Sequence, residues 1–432
     1  MKSHNIFFKK KFSGIFVKEL LNNLKIIHLS TSDFQGGAAR ATYRIHQSLL
    51  EENINSKMLV EYKYLNDSNI IGPNNLFSKA FIKSKPIIVK PIISLLKTKS
   101  TNLHSPSLFP TFWAKRLNKS DADIVHLHWV QKEMISIFDI ARIRKPIVWT
   151  FHDMWAFCGC EHVSWDNRWL EGYFKSNRSN NESGLDINKY IWRLKKTIWK
   201  KNITIIAPSK WMKDCAMRSP IMSKWPVYNI PNCISSKKWK PIDKYIAREI
   251  CQIPKNKFTL VFGMLNENKS KHKGFDLLLK SLILLSSEIK DIQLIIMGEN
   301  KNDILKNYNF SVKYVGKLND EISLKTVYSA GDALVTPSRI DNFPNSNLEA
   351  QMLGIPVIGF NICGLKDQIE HYKTGYLAKP FDIKDLAKGI KWIFNNKDDS
   401  TIREYTRSRA IKLWSNQVVA KEHIDIYQKL LN

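Results

Sequence analysis

Short apolar runs that end in turns and give way to helical patterns recur along this chain, and they do so in two successive halves. Runs at residues 25–30, 57–61, 124–128, 147–151 and 203–208 have the length and β-branched content of buried strands, with helical segments between them. In the segment 38–52, Tyr43, Ile45, Leu49 and Leu50 recur at helical spacing. The second half follows the same order: strand-like 258–263, helical 275–287, then strand-like 292–298, 313–315 and 333–336, a helix near 345–353 and a strand at 356–360. Alternation of this kind implies a parallel sheet covered by helices on both faces. At 432 residues the chain also exceeds what one core usually supports. The expectation is an α/β protein of two doubly wound, Rossmann-like domains facing each other across a cleft. Ligands of such sheets sit at the carboxyl ends of the strands, which suits a nucleotide, although fold alone does not specify chemistry.

The Pro- and Asn-rich stretch Trp225-Pro226-Val227-Tyr228-Asn229-Ile230-Pro231-Asn232 separates the halves and places a hinge near 232–240. The boundaries expected are a leader over 1–24, an N-terminal domain over 25–235 and a C-terminal domain over 236–410. A final helix over 411–432 is expected to pack back on the N-terminal domain. The leader MKSHNIFFKKKFSGIFVKELL is cut by Lys18 and Glu19, lacks a small-residue cleavage site, and reads as retained. No apolar run approaches the roughly 20 residues that span a bilayer. Six scattered cysteines show no zinc spacing and read as reduced, mostly buried thiols. A net charge of +28 attracts polyanions, but the lysines are spread through the whole sequence and a solvated surface accounts for much of the excess. Charge coincides with aromatics at 190–201, where a basic helix suits either anionic lipid headgroups or packing with snorkelling lysines. Residues 87–96 carry the same ambiguity.

The strongest motif is Pro337-Ser338-Arg339-Ile340-Asp341-Asn342-Phe343-Pro344-Asn345-Ser346-Asn347-Leu348-Glu349-Ala350. A strand ends near Thr336, a turn follows, and a helix starts around Pro344, a residue suited to the first helical position. The loop amides and the positive helix end are open to an anionic diphosphate. Asp341 lies in the loop and Glu349 on the helix, so one carboxylate can hold sugar hydroxyls and the other a ribose. Taken alone, the acidic residues could equally complement the helix dipole.

This stretch resembles the paired-carboxylate signature of the retaining family-4 glycosyltransferases, which have the GT-B fold and include bacterial O-antigen, colanic-acid and capsule enzymes. Their usual motif has Glu at both ends, whereas this chain has Asp341 at the first. The resemblance runs over nearly the whole chain beyond residue 24. Gly36 and Gly37 resemble the family's first glycine turn, near the donor phosphates. His152, at the end of Ile147-Val148-Trp149-Thr150-Phe151-His152-Asp153, matches the histidine that faces the donor sugar. Lys273, in Lys271-His272-Lys273-Gly274, matches the cation that neutralises the departing diphosphate; the family's upstream arginine is replaced by Asn266, Asn268, Lys269 or Lys271. The resemblance thus implies catalytic roles for His152, Asp341 and Lys273. It implies donor contacts from Gly36, Gly37, Asn342, Phe343, Pro344, Asn345 and Glu349. Glu161 and His162 follow His152 in an irregular segment and are expected on the acceptor side. His126 and His128 alternate on one strand and share a face; no third metal ligand is indicated.

What the resemblance implies is a metal-independent hexosyl transfer with retention and no cofactor. The substrate is a UDP-, GDP- or similar nucleotide sugar, and the acceptor a glycan or glycolipid of surface polysaccharide synthesis. The expected location is cytoplasmic, with an anionic membrane surface as a candidate partner and no nucleic acid. The rival readings are a catalytically silent glycan- or polyanion-binding relative, a nucleic-acid binder and a GT-B phosphorylase. The chain has no zinc-finger, RNA-sheet or zipper pattern for the second, and nothing indicates a pyridoxal lysine for the third.

Overall fold

The structure is a computed structural model that describes residues 24–98, 103–263, 271–298 and 310–432. The expected leader, up to residue 23, and the positions Asn266, Asn268 and Lys269 lie outside the described residues. The chain divides into two compact units. The first holds residues 24–208 with Met212–Ile230 and Val419–Asn432; the second holds Ser209–Trp211 and Pro231–Val418.

The first unit is built on a seven-stranded sheet. Its strands are β1 (Lys25–Ser32), β2 (Asn55–Tyr62), β3 (Ile70–Ile71), β4 (Ile124–Leu127), β5 (Ile147–Thr150), β6 (Thr204–Ala207) and β7 (Val227–Asn229). They lie in the order β3-β2-β1-β4-β5-β6-β7, every pair parallel. Every residue of β4, β5 and β6 is buried, which is why these strands read as continuous apolar runs rather than alternating ones. Helix α1 (Gly37–Glu51) lays Ala41, Ile45, His46 and Leu49 inward. Helix α2 (Leu76–Ser94) starts at Asn75, whose side chain accepts from the Ser78 amide, and buries only Ile82, Lys85 and Val89. Lys85 forms a buried ion pair with Glu61 of β2. Helix α3 (Ile187–Ile198) buries Asn188, Ile191, Trp192 and Lys195, so the stretch expected at 190–201 is a packed helix with its remaining lysines outside.

The second unit carries a six-stranded sheet. Its strands are β8 (Thr259–Gly263), β9 (Gln293–Met297), β10 (Ser311–Gly316), β11 (Ala333–Thr336), β12 (Val357–Phe360) and β13 (Gly375–Ala378). The order is β10-β9-β8-β11-β12-β13, again all parallel. Successive residues along a strand feed opposite cores, as the period of two demands. Leu260, Leu294, Val335 and Ile358 pack under helices α4 (Phe275–Leu285) and α7 (Ile383–Asn395). Val261, Ile295, Leu334 and Val357 pack under α5 (Glu321–Ala330), α6 (Asn345–Met352) and α8 (Ser400–Trp414). The last helix, α9 (Asn416–Leu431), begins in the second unit and continues in the first. The chain therefore crosses between the units after Ile230, earlier than residue 235, and after Val418, later than residue 410. Among the described residues no helix is long and apolar enough to cross a membrane.

Candidate active site

In the second unit, β11 ends at Thr336 and the chain turns through 337–344 into α6. Two glycines hold that turn by having no side chain. Gly274 sits at φ 71, and a Cβ on it would lie 1.9 Å from the Pro337 carbonyl oxygen. A Cβ on Gly364 would lie 1.4 Å from the Asn342 carbonyl oxygen, and its N–H donates to the Asp341 carbonyl at 3.1 Å. Neither approach leaves room for alanine. The Arg339 amide also donates to the His272 carbonyl at 2.7 Å, tying the turn to the segment that carries Lys273.

Within this frame the Lys273 ammonium donates to Asp341 Oδ2 at 2.6 Å. Two residues assigned separately from sequence are thus one half-buried ion pair, 68 positions apart in the chain. The pair lies just before α6, whose first amides add partial positive charge. An anionic oxygen arriving here meets a cation already desolvated on one side, and competes with Asp341 for it.

The neighbouring motif residues are anchored rather than loose. Asn342 Oδ1 accepts from the Ser209 hydroxyl at 2.7 Å, Asn345 Oδ1 from Asn232 Nδ2 at 3.3 Å, and the Pro344 carbonyl from Gln368 Nε2 at 3.1 Å. Phe343 was expected among the donor contacts, but its ring is buried in the core edge-on to Trp414, centroids 5.9 Å apart. Its apolar side chain stabilises the loop from beneath. Glu349 is buried on α6 and accepts from the Tyr328 hydroxyl at 3.1 Å. Arg339 makes a two-pronged ion pair with Asp276, at 2.8 and 2.7 Å.

The first unit carries His152. His152 follows β5 and is half-buried, and burial pulls its imidazole down to about 4 against the smaller upward pull of Asp153. At neutral pH it is an uncharged ring with one N–H. Next to it, the Asp153 carboxylate accepts from the Trp129 indole at 2.7 Å, from His162 Nδ1 at 2.7 Å and from the Trp155 amide at 3.0 Å. Burial alone pushes this carboxyl up; His162 and the donated hydrogen bonds outweigh it and hold the group below its ordinary value.

Glu161 and His162, expected on the acceptor side, are buried in this network instead. His162 bridges Asp153 and the Ser105 hydroxyl, 2.8 Å away. Glu161 accepts from the Tyr173 hydroxyl, and burial raises its carboxyl. Below the loop, Lys195 reaches in from α3 and donates to the carbonyls of Trp155, Cys158 and Gly159. Its ammonium also lies 3.7 Å from the Trp155 ring centroid. The segment after His152 is irregular because buried side chains, not backbone ladders, satisfy its polar groups. Cys158 and Cys160 are buried here with their thiols pushed up by burial, which keeps them unreactive.

Gly36, at φ 94, caps α1 and lines, with Gly37, a cavity of about 1050 Å³ in the first unit. Space around its missing Cβ is open, so the backbone conformation and not crowding requires glycine there. Trp129, Lys132 and Glu133 line the other side, together with Pro86 and Val89 of α2. None of these was given a site role from sequence, nor were Lys195, Gly364 or His28. Gly364 had a readable signal, a glycine in the short turn that follows the strand at 356–360; the others depend on contacts between distant segments.

Two parallel sheets, each wound by helices on both faces and each carrying its loop motif beyond a strand end, define the class of protein: a GT-B architecture. The chain belongs to the family-4 glycosyltransferases. The model for Glycosyltransferase Family 4 matches residues 35–238, and that for Glycosyl transferases group 1 matches residues 248–412. An uncharacterized glycosyltransferase of Haemophilus influenzae is 29% identical over 169 residues, covering 35% of this chain and 46% of the relative. The capsular polysaccharide biosynthesis glycosyltransferase CapM of Staphylococcus aureus is 28% identical over 170 residues, covering 37% of this chain and 44% of CapM. The chain thus spans just under half the length of these two relatives. The structure of Anabaena HepE in complex with UDP and glucose superposes with a TM-score of 0.61 at 15% identity, over 94% of this chain and 99% of HepE. That likeness is one of fold.

Proposed function

We propose that this protein transfers a sugar from a nucleotide-diphosphate donor to a glycan acceptor in the synthesis of a surface polysaccharide, with retention of anomeric configuration. The observation that carries the reading is the Lys273–Asp341 ion pair, at 2.6 Å, on a turn clamped by Gly274 and Gly364 ahead of α6. Breaking the bond from the anomeric carbon to the phosphate leaves charge on the diphosphate, and catalysis depends on stabilising it. Lys273 supplies a positioned cation and the α6 amides supply donors. As the diphosphate takes the ammonium, Asp341 is released to accept from sugar hydroxyls. His152, uncharged at neutral pH, contacts the sugar, and Glu349 holds the ribose. The acceptor attacks on the face the diphosphate leaves, a phosphate oxygen takes its proton, and neither a metal nor a cofactor takes part. The CapM and HepE likenesses support a donor of the UDP-sugar type and a capsule-like product.

The acceptor end of the proposal rests on α2. This helix exposes Leu76, Phe77 and Ile87 to solvent alongside Lys79 and Lys83, while Pro86, Val89 and Lys90 meet the cavity. Apolar side chains among lysines suit the interface of an anionic membrane, where a lipid-linked acceptor is presented from the cytoplasmic side. A thermal-shift screen of UDP-, GDP-, ADP- and TDP-sugars identifies the donor, because a specific binder raises stability by mass action. Release of the nucleoside diphosphate is then followed with acceptor present, and the product anomer is read by NMR. An inverted product removes the retaining mechanism. Binding without release, across acceptors, makes the chain a silent relative.

A further inference from the structure

One face of the first unit's sheet is paved with imidazoles. His28 on β1 stands in register with His126 on β4, and His128, two residues on, shares its face. His152 follows β5, which pairs with β4. His28 Nδ1 lies 2.9 Å from His128 Nε2, and His128 Nδ1 lies 3.2 Å from His152 Nε2. The outer two links of this chain are residues 28 and 152, brought together only by the sheet. Burial holds His28 and His128 well below the ordinary histidine range and His152 at about 4, so at neutral pH each ring carries a single proton.

Three neutral rings joined by two ring-to-ring hydrogen bonds have only two arrangements. His128 has one N–H and uses both nitrogens, so it donates on one side and accepts on the other. Either the protons point from His28 toward His152, or all are reversed. Reversal would leave the last proton on His28 Nε2, a buried nitrogen with no hydrogen-bond partner among the described residues. An orphaned buried N–H is among the rarest features of folded proteins. The forward arrangement places a bare lone pair there instead, and leaves His152 protonated on Nδ1.

We infer that His28 and His128 are positioning residues: through two successive hydrogen bonds they fix His152 as the Nδ1–H tautomer, so that it donates to an oxygen of the donor sugar. Which nitrogen of a histidine carries the proton is set by the hydrogen bond its other nitrogen makes. This inference rests on the proposed sugar contact of His152 and adds the device that sets its direction. The same nitrogens could be read as metal ligands, because one ring nitrogen from each of His28, His126 and His128 lies within 4.8 Å of the others. That set contains no carboxylate or thiolate, and both nitrogens of His126 already meet hydroxyls, of Tyr427 at 2.7 Å and Thr150 at 2.8 Å. A dication there would have to take a nitrogen of His126 away from one of those hydroxyls.

The test is ¹⁵N NMR of the imidazole rings in the full-length protein, alone and as the variants His28→Phe and His28→Asn. In the wild type, His152 is expected as a single neutral tautomer with a protonated Nδ1. His28→Phe removes the first donor and frees the chain to reverse, so Nε2-protonated His152 should appear. His28→Asn keeps an N–H donor near the position of Nδ1 and should restore the forward form. With a donor identified, kcat should fall roughly tenfold or more in His28→Phe and recover in His28→Asn, with nucleoside-diphosphate affinity unchanged. A wild-type His152 protonated on Nε2, or stoichiometric zinc in the purified protein, overturns the inference without touching the proposed function. A correct tautomer with unchanged turnover in His28→Phe overturns the positioning role. If no nucleotide sugar reacts at all, the proposed function fails while the tautomer measurement still decides the chain of rings.

Discussion

In the first unit a cluster of buried histidines lies on the sheet itself, paired by neutral hydrogen bonds among imidazoles and with hydroxyls. In the second unit Lys273, Asp341, Arg339 and Asp276 gather on and beside the turn beyond β11, partly open to solvent and paired as ions. A titratable group on a strand inside a doubly wound sheet must shed its charge or find a counter-ion there, as Glu61 of β2 finds Lys85, because the low-dielectric core penalises the ionised form. A group on a turn at a strand end can stay ionised if glycine lets the backbone close around it. The first unit therefore offers directional, uncharged contacts suited to sugar hydroxyls, and the second offers charge suited to a phosphate.

The largest consequence is in acid. His46 and His423 are fully buried, and burial lowers both to about 4, while burial also holds His28, His126 and His128 well below the ordinary histidine range. The unfolded chain takes up these protons near its ordinary value of 6.5, where the folded chain does not. Stability is therefore fully present above pH 6.5 and is lost as the pH falls from there through 4, by roughly 3 kcal/mol for each of His46 and His423. The second unit has only His272 and His371. Hydrogen exchange between pH 7 and 4.5 should show β1 and β4 losing protection well before β8 and β11. Equal loss in both units would erase the contrast.

Next comes Lys273→Ala, which removes the charge at the turn and should lower turnover by about 10²–10³-fold, the usual loss for one electrostatic donor, with little effect on thermal stability. Steady-state release of nucleoside diphosphate measures it, and wild-type turnover in the variant would remove Lys273 from the mechanism. Gly274→Ala should act on the same turn through geometry. Its Cβ would meet the Pro337 carbonyl oxygen at 1.9 Å from a residue at φ 71, so the turn must shift, at a cost of about 2–3 kcal/mol. Urea denaturation should show the lower midpoint, and donor affinity should fall with it.

The contrast also explains what could be read beforehand. The strand at 333–336 and the helix beginning at Asn345 are local patterns, and the structure places both where the periodicity does. The turn between them was legible because Pro344, Asp341 and Glu349 announce it within one short stretch. The surroundings of His152 were not. Asp153 is held by Trp129 and His162, and His162 by Ser105, 57 residues away. Such a network leaves no periodic trace, and a polar, irregular segment such as 158–173 reads as surface even when Lys195 from α3 satisfies its carbonyls. His28 looked like one polar residue in a strand; only the register with His126 reveals it as the far end of a chain of rings.

The smallest expected effect sharpens the comparison from the other side. Arg339 is the arginine nearest in sequence to Asp341, which makes it the natural stand-in for the cation the family carries upstream of Lys273. Its guanidinium is already engaged in two parallel hydrogen bonds with Asp276, a carboxylate that is itself pulled down by that pairing. Moving Arg339 to a phosphate would leave Asp276 unpaired, so the diphosphate gains little that the ion pair does not lose. Arg339→Gln should therefore cost no more than about 1 kcal/mol of stability, as exposed pairs do, and change the donor KM less than twofold. A tenfold rise in KM, measured beside Lys273→Ala, would show instead that two cations of this turn grip the diphosphate and that the Asp276 pair opens to let one of them do so.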